Sequence, residues 1–190
     1  MKHPLSHLTS HLRTGMVLAG LILIGLAQAQ SIATKDITVL QQDDYWQITP
    51  HYEMALSDAI VEAIRNGIEI TFVSEMRLIA EKNWWPDHTL QKISQRFEVH
   101  YFSLSNQYQL NHLDSGDKTS YMTLEGLLEQ LTQKTTFNFN RSSDANAVEA
   151  RFYLDQRALP STMQLPILFD PEWSLQSQPV RRDLKVKSQP

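Results

Sequence analysis

Residues 68 to 78 read Ile-Glu-Ile-Thr-Phe-Val-Ser-Glu-Met-Arg-Leu, with apolar side chains at positions 68, 70, 72, 76 and 78. Successive side chains of a β-strand point to opposite faces of the sheet, so this alternation predicts a strand with one buried face. The same alternation recurs over residues 96–102 and 147–154, and in shorter runs at 37–39, 46–48 and 52–56. The links between the runs are too short for parallel crossovers, which predicts antiparallel pairing. Pro50 lacks a backbone N–H and predicts a strand break, a bulge or a sheet edge.

Two segments between these strands have helical periodicity. Ser57 can cap a helix over residues 58–66, and Gly67 can end it in the left-handed conformation. The second segment, residues 123–133, carries leucines on one helical face: Leu124, Leu127, Leu128 and Leu131. The predicted fold class is therefore α+β, a mainly antiparallel β-sheet with two short helices, and a sandwich-like arrangement of the sheet stays open.

The N-terminus reads as a targeting segment. Lys2 and Arg13 precede an apolar run at residues 15–27, which is shorter than the ~20 residues that a membrane-spanning helix needs. Ala27-Gln28-Ala29 then supplies a small-x-small cleavage pattern. Residues 1–29 are predicted to be a signal peptide cleaved after Ala29, and the protein is predicted to be periplasmic. The alternative is an uncleaved anchor that holds the domain at the inner membrane, facing the periplasm.

Composition excludes several classes of function. The 190 residues contain no cysteine, so disulfides, thiolate nucleophiles and cysteine metal sites are excluded. Six glycines, widely spaced, leave no glycine-rich phosphate loop. Removing residues 1–29 leaves 15 basic against 21 acidic side chains, which argues against a nucleic-acid partner. One domain is predicted over residues 30–180, followed by a basic tail at 181–190 that is solvated or touches lipid headgroups.

The most unusual pentapeptide is Asn83-Trp84-Trp85-Pro86-Asp87. It follows the long predicted strand, and Pro86 favours an extended or turning backbone. Adjacent side chains of a strand point to opposite faces, so one of the two indoles is expected to be exposed unless the chain folds both rings over the sheet end. Trp84, Trp85 and Asp87 are therefore the candidate partner-binding residues.

Other polar residues do not form a recognisable site. His51 and Glu53 would share one strand face, but no third metal ligand stands at a suitable spacing. His100 or His112 could pair with a serine among Ser103, Ser105 and Ser120, although these also read as turn residues. Arg151 and Asp155 share a face and are read as a structural pair. No catalytic, cofactor-binding or metal-binding residue is assigned, no cofactor is expected, and the chain is not predicted to be an enzyme.

The ordered set of motifs resembles the exported proteobacterial proteins grouped as DUF4390. The motifs are Ala63 to Phe72, Trp84-Trp85-Pro86-Asp87, Arg96 to Tyr108, the leucine-rich helix after Tyr121, Arg151 to Pro160, and Trp173 to Ser177. They cover residues from about 37 to about 180, nearly all of the chain after the signal peptide. The resemblance implies a Gram-negative source, an exported single domain and no assigned activity. It also implies a possible link to a membrane sensor histidine kinase, by gene neighbourhood alone.

The expected function is a non-enzymatic binding or accessory module in the cell envelope, acting on an inner-membrane protein partner such as a sensor kinase. Two alternatives stay open. The domain could carry a small apolar ligand within a sheet that closes towards a barrel, or it could be an envelope hydrolase whose residues form no known motif.

Overall fold

The computed structural model describes residues 31–82, 84, 86–167 and 169–184. Within that part of the chain lie nine strands and three α-helices. The strands are β1 (Ser31–Gln41), β2 (Tyr45–Ala55), β3 (Ile70–Ala80), β4 (His88–Phe102), β5 (Gln107–His112), β6 (Lys118–Tyr121), β7 (Phe137–Asn140), β8 (Ala147–Leu154) and β9 (Val180–Asp183). The helices are α1 (Asp58–Arg65), α2 (Leu124–Gln133) and α3 (Ser161–Ile167), and short 3₁₀ turns cover Gln156–Ala158 and Pro171–Trp173.

The strands form two antiparallel sheets that pack face to face. The larger sheet has the order β6-β5-β4-β3-β8-β9, and the smaller has the order β1-β2-β7. The core lies between them: Tyr52 of β2 is fully buried and its hydroxyl lies 2.9 Å from Ser74 Oγ of β3. The predicted α+β class with mainly antiparallel sheet is confirmed, and the sheets are arranged as a sandwich.

The two predicted helices are present, and α1 has the predicted caps. Ser57 Oγ accepts a hydrogen bond from Ile60 N, and Gly67 follows α1 with φ +82°, a conformation that costs glycine little. Thr123 Oγ1 caps α2 through Gly126 N, and a Cβ added at Gly126 would lie 3.3 Å from that hydroxyl. Gly126 therefore leaves room for the cap of its own helix.

The structure contains elements that the sequence patterns do not predict, strands β5, β6 and β7 among them. Helix α3 is additional to the two predicted. It contains Pro166, and a proline inside a segment argues against predicting a helix there. β2 runs through Pro50 without a break, and the predicted sheet edge is present there, because Pro50 lies beyond Ile48, the last residue of β2 that pairs with β7. Arg181 and Arg182 belong to β9 and pair with β8, so the sheet extends into the segment predicted as a solvated tail. The predicted signal peptide, Lys185 and Lys187 lie outside the described residues.

The sandwich has two ends with different contents. One end carries the connection from β3 to β4, and it is called the Trp84 end below. The opposite end carries α1, α3 and the turn from β4 to β5, and it is called the helix end. Ser31, the first described residue, pairs with Ala55 immediately before α1, so the described chain begins at the helix end.

Candidate functional site

Trp84 lies in the connection from β3 to β4, and its side chain is 92% exposed. Its indole therefore does not fold back over the end of the sheet. Trp85, the second tryptophan of the candidate set, lies outside the described residues. An indole this exposed leaves a large apolar surface in water, which is unusual for tryptophan.

The strand-side end of this connection is held by Asn146. The Asn146 side chain accepts a hydrogen bond from Glu81 N at 2.7 Å and donates one to Glu81 O at 3.0 Å. Asn146 is itself fixed, because its backbone N–H donates to Ile79 O and its carbonyl accepts from Leu184 N. The chain that leads into Trp84 is therefore bonded to the segment that precedes β8.

The other end of the connection is held by Arg181 on β9. Asp87 Oδ2 accepts a hydrogen bond from Arg181 Nη1 at 2.6 Å, and the same nitrogen lies 3.2 Å from Glu81 Oε1. Asp87, a candidate partner-binding residue, thus has its carboxylate engaged within the domain. This contact links the β4 side of the connection to β9.

Arg181 is also the outer member of a charged row that crosses four strands. In the sheet register Arg181 faces Glu149, Glu149 faces Arg77, and Arg77 faces Lys92. Arg181 Nε donates to Glu149 Oε2 at 2.8 Å, and Arg77 Nη1 lies 3.4 Å from Glu149 Oε1. The like charges of Arg77 and Lys92 would repel each other across β3 and β4. Glu75 lies between them and contacts both, at 2.8 Å from Arg77 and 2.6 Å from Lys92.

The contacts within this row favour the ionised forms of Glu75 and Arg181. Burial by itself would raise the pKa of the Glu75 carboxyl, but hydrogen bonds and charge from Lys92 and Arg77 outweigh burial and lower that pKa. Hydrogen bonds to Glu149 and Asp87 raise the pKa of Arg181 further above its ordinary value. The row therefore joins β4, β3, β8 and β9 at neutral pH. Its last member, Arg181, also contacts Asp87 in the connection that carries Trp84.

His51 and Glu53 share a strand but do not converge on one site. His51 lies with Nε2 3.1 Å from Thr38 Oγ1 and Nδ1 3.2 Å from Gln133 Oε1. Glu53 instead forms an exposed ion pair with Lys35. Among the described residues, no group of three or more His, Asp or Glu side chains is placed to hold a metal ion.

His112 has a serine neighbour, although it is none of the three considered from the sequence. Ser115 Oγ lies 2.8 Å from His112 Nδ1 and donates to Asp117 Oδ2 at 2.6 Å. Because the Ser115 hydroxyl proton points to Asp117, Ser115 Oγ can accept a hydrogen bond from His112 Nδ1–H. In that tautomer, His112 Nε2 is an acceptor. Nε2 is buried and has no hydrogen-bond partner in the described part of the chain. The ring stacks on Phe97 beside a cleft of about 200 Å³ under α2.

Arg151 and Asp155 have separate partners. Arg151 Nη2 donates to Gln176 Oε1 at 2.6 Å, and its guanidinium lies 5.2 Å from the centre of the Tyr153 ring. Asp155 Oδ1 accepts from Arg157 N and so caps the 3₁₀ turn that follows β8. Both residues are structural, but the expected pair between them is replaced by these contacts.

Aromatic side chains pack against one another in the core between the two sheets. The Phe152 ring lies 4.7 Å from that of Tyr52 and 5.9 Å from that of Phe72, measured between centroids, and all three side chains are fully buried. At these separations the rings are in van der Waals contact and occupy the middle of the core.

Comparison with known proteins identifies a family. The profile of a domain of unknown function, DUF4390, matches residues 29–183, which is most of the chain. Comparisons with curated proteins and with solved structures found no significant match. In the described part of the chain, none of the helices has the length and apolar character needed to span a bilayer. From the family match over residues 29–183, the chain belongs to the DUF4390 family.

Proposed function

We propose that this protein is an exported, periplasmic binding module that acts on a membrane protein of the cell envelope through Trp84. The observation that carries the proposal is the 92% exposure of Trp84 on a connection whose two ends are fixed by Asn146 and Arg181. The proposed role is binding, with no catalytic step assigned to the domain.

The energetic argument rests on preorganisation. Tryptophan is enriched among the few residues that supply most of the binding energy of protein interfaces. Such a residue contributes more when its backbone is already held in place, because less conformational entropy is lost on binding. The bonds from Asn146 to Glu81 and from Arg181 to Asp87 hold both ends of the connection before any partner arrives.

The partner is proposed to be an inner-membrane protein with a part exposed to the periplasm. The apolar run at residues 15–27 supports export of the domain to that compartment or anchoring at its boundary. A membrane sensor histidine kinase is the first partner to test, because the family resemblance points to that class. An exposed indole fits an apolar pocket on such a partner, with its N–H left for one hydrogen bond.

Site-specific photocrosslinking in intact cells tests this proposal. A photoreactive analogue of phenylalanine, which keeps a large aromatic ring at the position, replaces Trp84 in one strain and Phe169, 90% exposed at the helix end, in a control strain. The proposal predicts a crosslink to one membrane protein from position 84 that is absent from position 169. Excess unlabelled wild-type protein is expected to compete for this crosslink, and the Trp84→Ala variant is not. Identical products from both positions, or no product from position 84, would contradict the proposal.

A further inference from the structure

Large apolar side chains are exposed at the helix end of the sandwich. Leu104, in the turn from β4 to β5, is fully exposed, and Phe102 beside it is 43% exposed. Met122, just before α2, is 72% exposed. Met122 Sδ accepts a weak hydrogen bond from Gln107 Nε2 at 3.8 Å, which places Met122 beside the same turn. Three exposed apolar side chains, two from the end of β4 and the turn after it and one from just before α2, therefore lie at this end.

Helix α3 adds two more at the same end. Its inner side packs on the core through Ile167, which is 5% exposed, and through Met163. Leu165 lies on the other side of α3 and is 73% exposed, and Phe169 after the helix is 90% exposed. Single exposed apolar residues are ordinary, but a group at one end of a domain indicates a surface that contacts something apolar.

The chain enters the domain at this end as well. Ser31 pairs with Ala55 at the helix end, and the apolar run of residues 15–27 stops four residues before Ser31. Four residues span at most about 14 Å when fully extended. A bilayer has roughly 5 to 8 Å of headgroup on each side of its hydrocarbon core. If the segment is the uncleaved anchor, the alternative to cleavage after Ala29, the apolar run lies in the membrane and the helix end lies at the headgroups.

Charges at the helix end carry both signs. Arg65 at the end of α1 interacts with Glu125 in the first turn of α2, and Glu69 lies 3.7 Å from His100. No cluster of basic residues marks this end among the described residues, so attraction to anionic headgroups is weak. Any contact with lipid here would come from burial of apolar side chains.

We propose that the helix end rests on a lipid bilayer, with Leu104, Met122, Leu165 and Phe169 at the level of the headgroups. Trp84 then points away from that membrane, because β3 alone, with 11 residues, separates the two ends by about 35 Å. This lipid contact goes beyond the proposed function, which concerns a protein partner, and it holds or fails independently of that function.

Single-site labelling of the full chain tests the proposal, because the chain has no cysteine to interfere. Single cysteines replace Leu104, Met122 or Phe169, with Trp84 and the half-exposed Leu40 of the Trp84 end as controls. Each variant carries an environment-sensitive fluorophore and is reconstituted into phosphatidylcholine vesicles that contain a spin-labelled quencher lipid. Labels at the helix end are expected to be quenched at least threefold more than the two control labels. Equal quenching at both ends would overturn the proposal.

A second variant separates lipid contact from mere tethering. Leu104→Ser with Phe169→Ser keeps the N-terminal segment and removes two exposed side chains, neither of which belongs to the core. Quenching of the label at position 122 is expected to fall at least twofold in this variant, and unchanged quenching would contradict the proposal. Adding phosphatidylglycerol or salt is expected to change the quenching of the labels at positions 104, 122 and 169 by less than twofold. A requirement for anionic lipid would replace apolar contact with an electrostatic mechanism and so overturn it.

Discussion

Arg181 and Asp87 lie 94 positions apart in the sequence, yet Arg181 Nη1 is 2.6 Å from Asp87 Oδ2. This contact links the last strand of the large sheet to the connection that carries Trp84. Nε of the same guanidinium donates to Glu149, so the Arg181 side chain joins the connection that carries Trp84 to the charged row across β4, β3, β8 and β9. Removal of the Arg181 side chain would break contacts both at the β9 edge of the sheet and at the connection that carries Trp84.

Replacing Arg181 with methionine is expected to lower the free energy of unfolding by about 1–2 kcal/mol. The reason is Glu149, whose side chain is 11% exposed and would keep only the longer contact with Arg77. Arg182→Met is the matched control, because it removes the adjacent arginine from an exposed pair with Asp36. The control is expected to cost less than about 0.5 kcal/mol in urea denaturation. Equal losses in the two variants would show that the row adds nothing to stability.

The pH dependence of unfolding reports on Glu75. Its pKa is lower in the folded protein than in the unfolded chain, so it stabilises the fold above its ordinary pKa, and that contribution is lost as pH falls through the folded pKa. Asp114, whose pKa is also lowered, on balance by its bonds to Arg96, contributes with the same sign. Glu75→Gln is expected to flatten, without abolishing, the fall in stability below about pH 4.5.

The control for this titration is Glu53→Gln, which removes a carboxylate from an exposed pair with Lys35. Unfolding free energies of wild type and the two variants, measured from neutral pH to about pH 3, give the comparison. The account predicts that only Glu75→Gln departs from the wild-type slope. A slope unchanged in Glu75→Gln would mean that the Lys92 and Arg77 contacts do not stabilise the carboxylate.

Two tryptophans with opposite exposure separate binding from folding. Trp173 is 6% exposed in the core at the helix end, and its replacement by alanine is expected to cost about 3–5 kcal/mol. Trp84→Ala is expected to change stability by less than about 0.5 kcal/mol, because its side chain has almost no contact to lose. Chemical denaturation of both variants checks this. A large loss of stability in Trp84→Ala would place the indole in the core.

Asp87→Asn tests whether the contact with Arg181 positions the connection that carries Trp84. The substitution keeps the shape of the side chain and removes the charge that pairs with Arg181, leaving Trp84 itself intact. We expect the affinity for the partner to fall by roughly threefold to tenfold, because the connection is no longer held at that end before binding. Asp43→Asn, an exposed acidic residue at the same end, is the control and is expected to leave affinity unchanged. Equal affinities for both variants would exclude a positioning role for Asp87.

The sequence predicts most of the elements because their signals are local. Alternation over residues 68–78 predicts β3, and the leucine spacing predicts α2, although Thr123 is its N-cap and not its first helical residue. β9 escapes prediction because Val-Arg-Arg-Asp has no alternation, and its strand character comes only from pairing with β8. Tertiary pairing overrides local preference in such short charged segments.

The candidate site is predictable only in part. Trp84 and Asp87 stand out in the sequence because Trp-Trp-Pro-Asp is unusual. Arg181, Glu149 and Asn146 could not be assigned to this corner, because their contacts depend on the order β4-β3-β8-β9 in the sheet. Pairing between strands that are distant in sequence cannot be read from periodicity.

The most direct test of the proposed function is the affinity between this domain and the membrane protein that crosslinks to position 84. Dissociation constants are measured for wild type, Trp84→Ala and Tyr45→Ala, an exposed aromatic control at the Trp84 end. The account predicts at least ~30-fold weaker binding for Trp84→Ala, equivalent to about 2 kcal/mol, and a change of less than about twofold for Tyr45→Ala. Wild-type affinity in Trp84→Ala would contradict the claim that Trp84 is the binding residue of this domain.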